Sequence, residues 1–126
     1  RVRFLGYRRD VPELNAMSDV YVNVAREEGF GIAVVEAMQA GLPVVLADAG
    51  ALPELIEDRI SGLLVPPGDA GALASALITL AQNPEHAKLM GNAGRKRAEH
   101  SFSIQQWVQV QMLLSNFRLY WRLLFI

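Results

Sequence analysis

The sequence predicts an α/β fold, a parallel sheet flanked by helices, on three observations. Short strand patterns alternate with helical ones along the chain, which implies parallel strands joined by right-handed crossovers. Residues 44–47, VVLA, are wholly apolar, as a strand buried on both faces must be. A glycine-rich turn at residues 29–31 separates a strand pattern from a helical one, the position at which a Rossmann-like sheet takes its ligands.

Each element has its own signal. RVRFLGY (1–7) alternates and ends at Gly6, so a first strand is expected there. Asp10 and then Pro12, near a first helical turn, open a short helix to about Met17. DVYVNV (19–24) is rich in β-branched and aromatic residues and reads as a second strand. Residues 32–40 form a helix stopped by Gly41, after which Pro43 leads into the strand at 44–47. PELIED (53–58) gives a helical turn, and SGLLVPPGD (61–69) a fourth strand with a Pro-Gly turn. Asp69 is the N-cap expected for the stripe Leu73, Leu77 and Leu80.

Asn83-Pro84 starts another helix, whose Lys88, Arg95, Lys96 and Arg97 are expected as a solvated face. Ser103 and Gln106 form a capping-box pattern for a long C-terminal helix with Trp107, Val110, Leu114, Phe117, Trp121 and Leu124 on its apolar side. Gln105, Gln109, Gln111, Asn116, Arg118 and Arg122 make that helix too polar for a membrane span. Its apolar end, LYWRLLFI, is expected to cover a part of the protein that this chain lacks.

Bulk properties narrow the function. A net charge of −1 gives no general attraction to nucleic acid or anionic lipid. With no cysteine there is neither a disulfide framework nor a thiolate metal site, in keeping with a reducing compartment. His86 and His100 lack metal-ligand spacing, and no metal or other cofactor is expected. The 126 residues suffice for one domain or part of one, and a first residue other than Met suggests a fragment of a longer protein.

The candidate site lies in EEGFGIAVVEAM, residues 27–38. Gly29 and Gly31 let backbone approach a ligand, and the amides that open the following helix favour an anion such as a diphosphate. Glu36, flanked by Ile32, Ala33, Val34, Val35, Ala37 and Met38, reads as a carboxylate set among core residues. Such a group needs hydrogen-bonding partners to offset desolvation, and sugar hydroxyls could supply them. From Gly31 to Glu36 the helix climbs roughly 7–8 Å, which displaces Glu28 from Glu36 along its axis. Hydroxyls at both ends and a diphosphate between them describe a nucleotide sugar.

These residues resemble a known family. Glu28-Gly29-Phe30-Gly31, then Glu36-Ala37-Met38, then Gly41-Leu42-Pro43-Val44-Val45 follow the two-glutamate motif of retaining glycosyltransferases of family 4. The likeness continues through DAGALPELIED, SGLLVPPGD and HSFS, and so covers nearly the whole chain. It implies that residues 1–126 are part of the C-terminal, nucleotide-sugar-binding domain of a B-type enzyme, with the N-terminal acceptor domain absent. By the resemblance, Glu28 contacts the donor sugar near its reacting end and is the catalytic candidate. Glu36 accepts hydrogen bonds from the ribose. Gly29, Phe30, Gly31 and Ile32 complete the donor site, Phe30 and Gly31 through their backbone.

The implied reaction moves a sugar from a nucleoside-diphosphate sugar to an acceptor hydroxyl with retained configuration, through a front-face displacement and without a bound metal. The implied setting is the cytoplasm, with room for peripheral attachment to the cytoplasmic membrane face through the missing part. Two departures stand out. The family's Arg/Lys pair for the diphosphate lies upstream, and Arg8 and Arg9 do not match it. Where many members carry Pro-Ser, this chain has Val24-Ala25, then Arg26 and Glu27. Alternatives are a non-catalytic nucleotide-sugar-binding module and a related B-type epimerase or phosphorylase. A dinucleotide fingerprint fits poorly, because its third glycine would fall at Val34.

Overall fold

A computed structural model of the protein describes residues 1–102. Among them, helices and strands alternate in the order α1 (Val11–Ala16), β1 (Tyr21–Asn23), α2 (Ile32–Gln39), β2 (Val44–Ala47), α3 (Leu52–Leu55), β3 (Leu63–Val65), α4 (Ala70–Gln82) and α5 (Pro84–Ser101). The strands form one parallel sheet, β1-β2-β3, with Tyr21 opposite Val44 and Val45 opposite Leu63. The wholly apolar β2 is the middle strand, and every one of its residues is buried.

Alternation along β2 divides the core between two faces. Val44 and Leu46 face Val34, Ala37 and Met38 of α2, Leu52 and Leu55 of α3, and Ala98 of α5. Val45, with Val65 of β3, faces Leu80 of α4 and Ala87 and Met90 of α5. Met38, Leu46 and Leu52 are fully buried, and each such side chain contributes about 1.5–3 kcal/mol. The Asp69 carboxylate accepts the Ala72 amide at 2.9 Å, so the predicted cap starts α4.

Two expectations are corrected. Residues 1–7 form no strand, and Val2, Phe4 and Tyr7 are 80%, 97% and 87% exposed. A strand takes its hydrogen bonds from a neighbour, and no strand among the described residues lies beside this segment. The described sheet therefore has three strands, and the one expected in SGLLVPPGD is present as Leu63–Val65. Arg97 is not part of a solvated face: its guanidinium donates to the carbonyls of Leu55 at 2.9 Å and Glu54 at 3.1 Å, the free carbonyls at the end of α3. The long helix expected from Ser103 lies outside the described residues.

Small residues let α5 lie directly on its neighbours. Gly91 abuts the turn after α2, where a Cβ would overlap the Gly41 carbonyl oxygen, and a Cβ on Gly94 would come within 3.0 Å of the Ser61 carbonyl oxygen. Backbone, unlike a side-chain tip, cannot swing aside. Gly91→Ala is therefore expected to destabilise the fold by about 1–3 kcal/mol despite alanine's better helix propensity, measured as a lower midpoint in urea at unchanged slope.

Candidate functional site

β1 ends at Asn23 and α2 begins after Gly31, so the loop between them crosses the carboxyl edge of the sheet. Gly31 makes that junction possible. It is left-handed, at φ 67°, and a Cβ there would sit 2.5 Å from Leu55 Cδ1. Both facts favour glycine, the left-handed φ through backbone sterics and the approach of the Leu55 side chain through packing.

Glu28 is held from three sides. One carboxylate oxygen, Oε1, accepts the Gly31 N–H at 3.1 Å. The other, Oε2, accepts the Asn23 side-chain amide at 3.2 Å. Its backbone carbonyl accepts the Ala51 N–H at 3.1 Å. Gly50, at φ 57°, brings the loop after β2 so close that a Cβ would lie 3.0 Å from the Glu28 amide nitrogen and carbonyl oxygen. The Gly50-Ala51 loop therefore positions Glu28's backbone. The Gly31 N–H, with the Asn23 amide and the Phe30 N–H in support, lowers the Glu28 pKa below its ordinary value in spite of desolvation. The anion held by the turn is the protein's own carboxylate, which takes the Gly31 N–H that the sequence assigned to a ligand.

Glu36 corrects another expectation. It is exposed, not buried, although apolar residues precede and follow it. The helical repeat explains this: Val34, Val35, Ala37 and Met38 turn to the core, whereas Ile32, Ala33, Glu36 and Ala40 form the outer stripe. The carboxylate keeps its water, and among the described residues it makes no side-chain hydrogen bond or ion pair.

The two glutamates bear on one common neighbour. Tyr21, partly buried at the start of β1, has its phenol pKa raised first by burial, then by the negative charges of Glu28 and Glu36. Both carboxylates thus act on one phenol, on the side of the sheet that Tyr21 shares with Asn23. Phe30 and Ile32 stand at the surface beside them, 62% and 53% exposed, and Gly29 is exposed with open space around its Cα.

Other features lie apart from this pair. A cavity of about 550 Å³ opens at the opposite, amino-terminal ends of β1 and β2, between Asn15, Asp19, Pro43 and Lys88. A smaller one, about 200 Å³, lies at the carboxyl edge between Val24, Arg26, Val65 and Gly68. Neither is lined by Glu28 or Glu36. Arg26 reaches over the turn after β3, where a Cβ on Gly68 would be 3.3 Å from its Nη2. The Arg8 guanidinium is engaged by Asp10, with Nε 2.8 Å from Oδ1. Among the described residues no cluster of three His, Cys, Asp or Glu side chains could hold a metal ion, and no helix is long and apolar enough to cross a membrane.

Asn23 escaped the sequence reading because it falls in VYVNV, read as a strand by its β-branched and aromatic residues. Asparagine is depleted from strands, and that oddity was the available signal.

Comparison with known proteins agrees with this architecture. The model of the family "Glycosyl transferases group 1" matches residues 1–97. The N-acetyl-alpha-D-glucosaminyl L-malate synthase of Bacillus anthracis is 34% identical over 108 residues, 86% of this chain and 28% of that protein. The phosphatidyl-myo-inositol mannosyltransferase of Mycobacterium leprae is 46% identical over 86 residues, 65% of this chain and 23% of that protein. The chain thus spans roughly a quarter of these relatives. Among solved structures, Anabaena Alr3699/HepE in complex with UDP superimposes with a TM-score of 0.83 at 34% identity, covering 92% of this chain and 32% of that one. The C-terminal domain of a glycosyl transferase group 1 family protein (LpcC) from Francisella tularensis gives 0.73 at 27% identity, over 82% of this chain and 53% of that one.

The lowered Glu28 pKa has a consequence for stability. A carboxyl whose folded pKa is depressed stabilises the fold above its unfolded pKa, about 4.3, and that contribution is lost as pH falls through the folded value. The stability advantage of wild type over Glu28→Gln is expected to be constant near neutrality and to shrink below about pH 4.3, as followed by urea denaturation across the acid range.

Proposed function

The chain belongs to the group 1 glycosyltransferases, and on that premise we propose that it supplies the donor-binding part of an enzyme that transfers a sugar from a nucleoside-diphosphate sugar to an acceptor hydroxyl with retention of configuration. The observation that carries the reading is the placement of two carboxylates along the β1–α2 connection: Glu28 fixed in the turn at the carboxyl edge of β1, and Glu36 exposed on the helix that follows. The solved complexes of Anabaena Alr3699/HepE with UDP and with UDP-glucose support a nucleoside-diphosphate sugar as the class of donor.

The two acids are suited to different ends of such a ligand. Glu28 is held with one oxygen toward the Gly31 N–H and the other toward the Asn23 amide, a fixed acceptor for a sugar hydroxyl. Glu36 stands hydrated on the outer stripe of α2, open to the ribose hydroxyls. Between them, the first-turn amides of α2 have no intrahelical carbonyl to bond, and the helix end favours the diphosphate.

The chemistry then rests on charge. As the bond from the anomeric carbon to the leaving phosphate lengthens, the donor diphosphate gains negative charge that the helix N-terminus stabilises. The acceptor hydroxyl attacks from the same face, and its proton passes to the departing phosphate oxygen as the bond to the diphosphate breaks. No metal enters this scheme. On this reading the acceptor and further basic ligands of the diphosphate fall in the roughly three quarters of the relatives' length that this chain does not span.

Two measurements on the full-length protein test the reading. A thermal-shift series with UDP-, GDP- and ADP-sugars is expected to single out one donor, because a ligand stabilises only the state that binds it. Glu36→Ala is expected to weaken that donor by roughly 10- to 100-fold, the scale of lost hydrogen bonds to a charged acceptor, in titration calorimetry. Unchanged donor affinity in this variant would overturn the assignment of Glu36. An inverted, epimerised or phosphorolysed product in NMR would overturn retaining transfer.

A further inference from the structure

On the reading of Glu28 as the carboxylate that faces the donor sugar, we propose that Asn23 is a positioning residue of the transfer reaction, one that fixes the orientation in which Glu28 meets the sugar. Nothing in the two-glutamate motif includes this position. It follows from a network that joins the last residue of β1 to the first turn of α2.

Asn23 is itself held in one orientation. Its side-chain oxygen Oδ1 accepts the Ala25 N–H at 3.0 Å, so its Nδ2 is left as the group that donates to Glu28 Oε2, at 3.2 Å. Rotating the amide by half a turn would set oxygen against carboxylate and nitrogen against N–H, losing both bonds. Gly31 holds the other oxygen, Oε1, at 3.1 Å. The terminal torsion of a glutamate is otherwise broad, and a free Glu side chain gains rotamer entropy by wandering. Two donors on two oxygens, from two secondary-structure elements, remove that freedom. They also define which side of the carboxylate stays open, and they favour the ionised form.

Backbone restraint completes the arrangement. The Ala51 N–H and the close approach of Gly50 fix where the Glu28 main chain sits. What remains is the direction of the carboxylate plane, and among the described residues the Asn23 side chain and the Gly29, Phe30 and Gly31 amides act on that. The amides come with any left-handed turn of this kind; the Asn23 side chain is the part that a single substitution can remove without touching the turn.

Two substitutions in the full-length enzyme separate positioning from mere structure. Asn23→Leu keeps the size and removes the donor. Its kcat/KM is expected to fall roughly 10- to 100-fold, the usual scale for losing an outer hydrogen bond to a functional ligand group, with most of the loss in kcat. The acid limb of its pH profile should move upward, since Glu28 loses a donor that favours its ionised form. Asn23→Asp places a second carboxyl against Glu28. While the pair shares one proton, the O–H of the introduced carboxyl would replace the amide donor; once that proton leaves, the two charges repel.

Asn23→Asp is therefore expected to retain activity on the acid side and lose it as pH rises through the titration of the pair, where wild type stays active. Circular dichroism at each pH restricts the comparison to folded protein, so the profile of this variant remains decisive even if the leucine variant fails to fold. Wild-type kcat/KM and an unshifted acid limb in Asn23→Leu, or an Asn23→Asp profile that overlies wild type, would overturn the inference. Glu28→Ala identifies the level of any failure. If that variant loses transfer while the Asn23 variants are neutral, only the role of Asn23 falls. If Glu28→Ala transfers normally, the reading of Glu28 falls and takes the role of Asn23 with it.

Discussion

The described structure turns on Gly31. It is left-handed where α2 leaves the carboxyl edge of β1, and it carries no Cβ where the Leu55 side chain packs. Its N–H then points at Glu28. One residue thus sets the direction of a helix, the depth of a core contact and the position of the site's better-held acid. Glycine meets the first two at least cost, and the third comes with them.

That junction is supported from a distance. Leu55 presses on Gly31 because α3 is fixed, and α3 is fixed at its carboxyl end by Arg97 of α5, which donates to the carbonyls of Glu54 and Leu55. Helix α5 can reach there because Gly91 and Gly94 allow its backbone to lie against the turn after α2 and against Ser61. The path runs from small residues on α5, through a half-buried cation–carbonyl contact, to a leucine side chain and a glycine. Each step is a packing or hydrogen-bonding contact, and together they make the loop at the carboxyl edge an extension of the core.

Local signals in the sequence revealed the local parts of this design. The unbroken apolar run at 44–47 identified the central strand, Gly41 and Pro43 marked the turn before it, and Asp69 identified the start of α4. The two glutamates and the glycines between them were visible as a motif, as was the family. What stayed hidden depends on residues far apart in the chain. The strand expected at 1–7 requires a neighbour that no local pattern supplies. Arg97 looked like one more surface cation because its partners lie 42 and 43 positions away. Glu36 was misplaced for a different reason: its apolar flanks suggested burial, but the helical repeat carries the flanking residues inward and Glu36 outward. Asn23 acts across five residues, yet its partner is defined by a loop whose shape the sequence did not disclose.

The contrast between the two acids is itself informative about division of labour. Glu28 is constrained at both oxygens and at its backbone before any ligand arrives, whereas Glu36 is solvated and makes no side-chain bond among the described residues. On the proposed reading these are different thermodynamic roles. A group beside the reacting carbon gains from being fixed in advance, because misplacement by about 1 Å can cost roughly 100-fold in rate. A group that grips a ribose far from the bond being broken contributes nearly equally to the ground and transition states, so its hold affects affinity more than turnover. Rigidity therefore belongs at Glu28, and the residues that enforce it are Gly31 and Asn23, not the second acid of the motif.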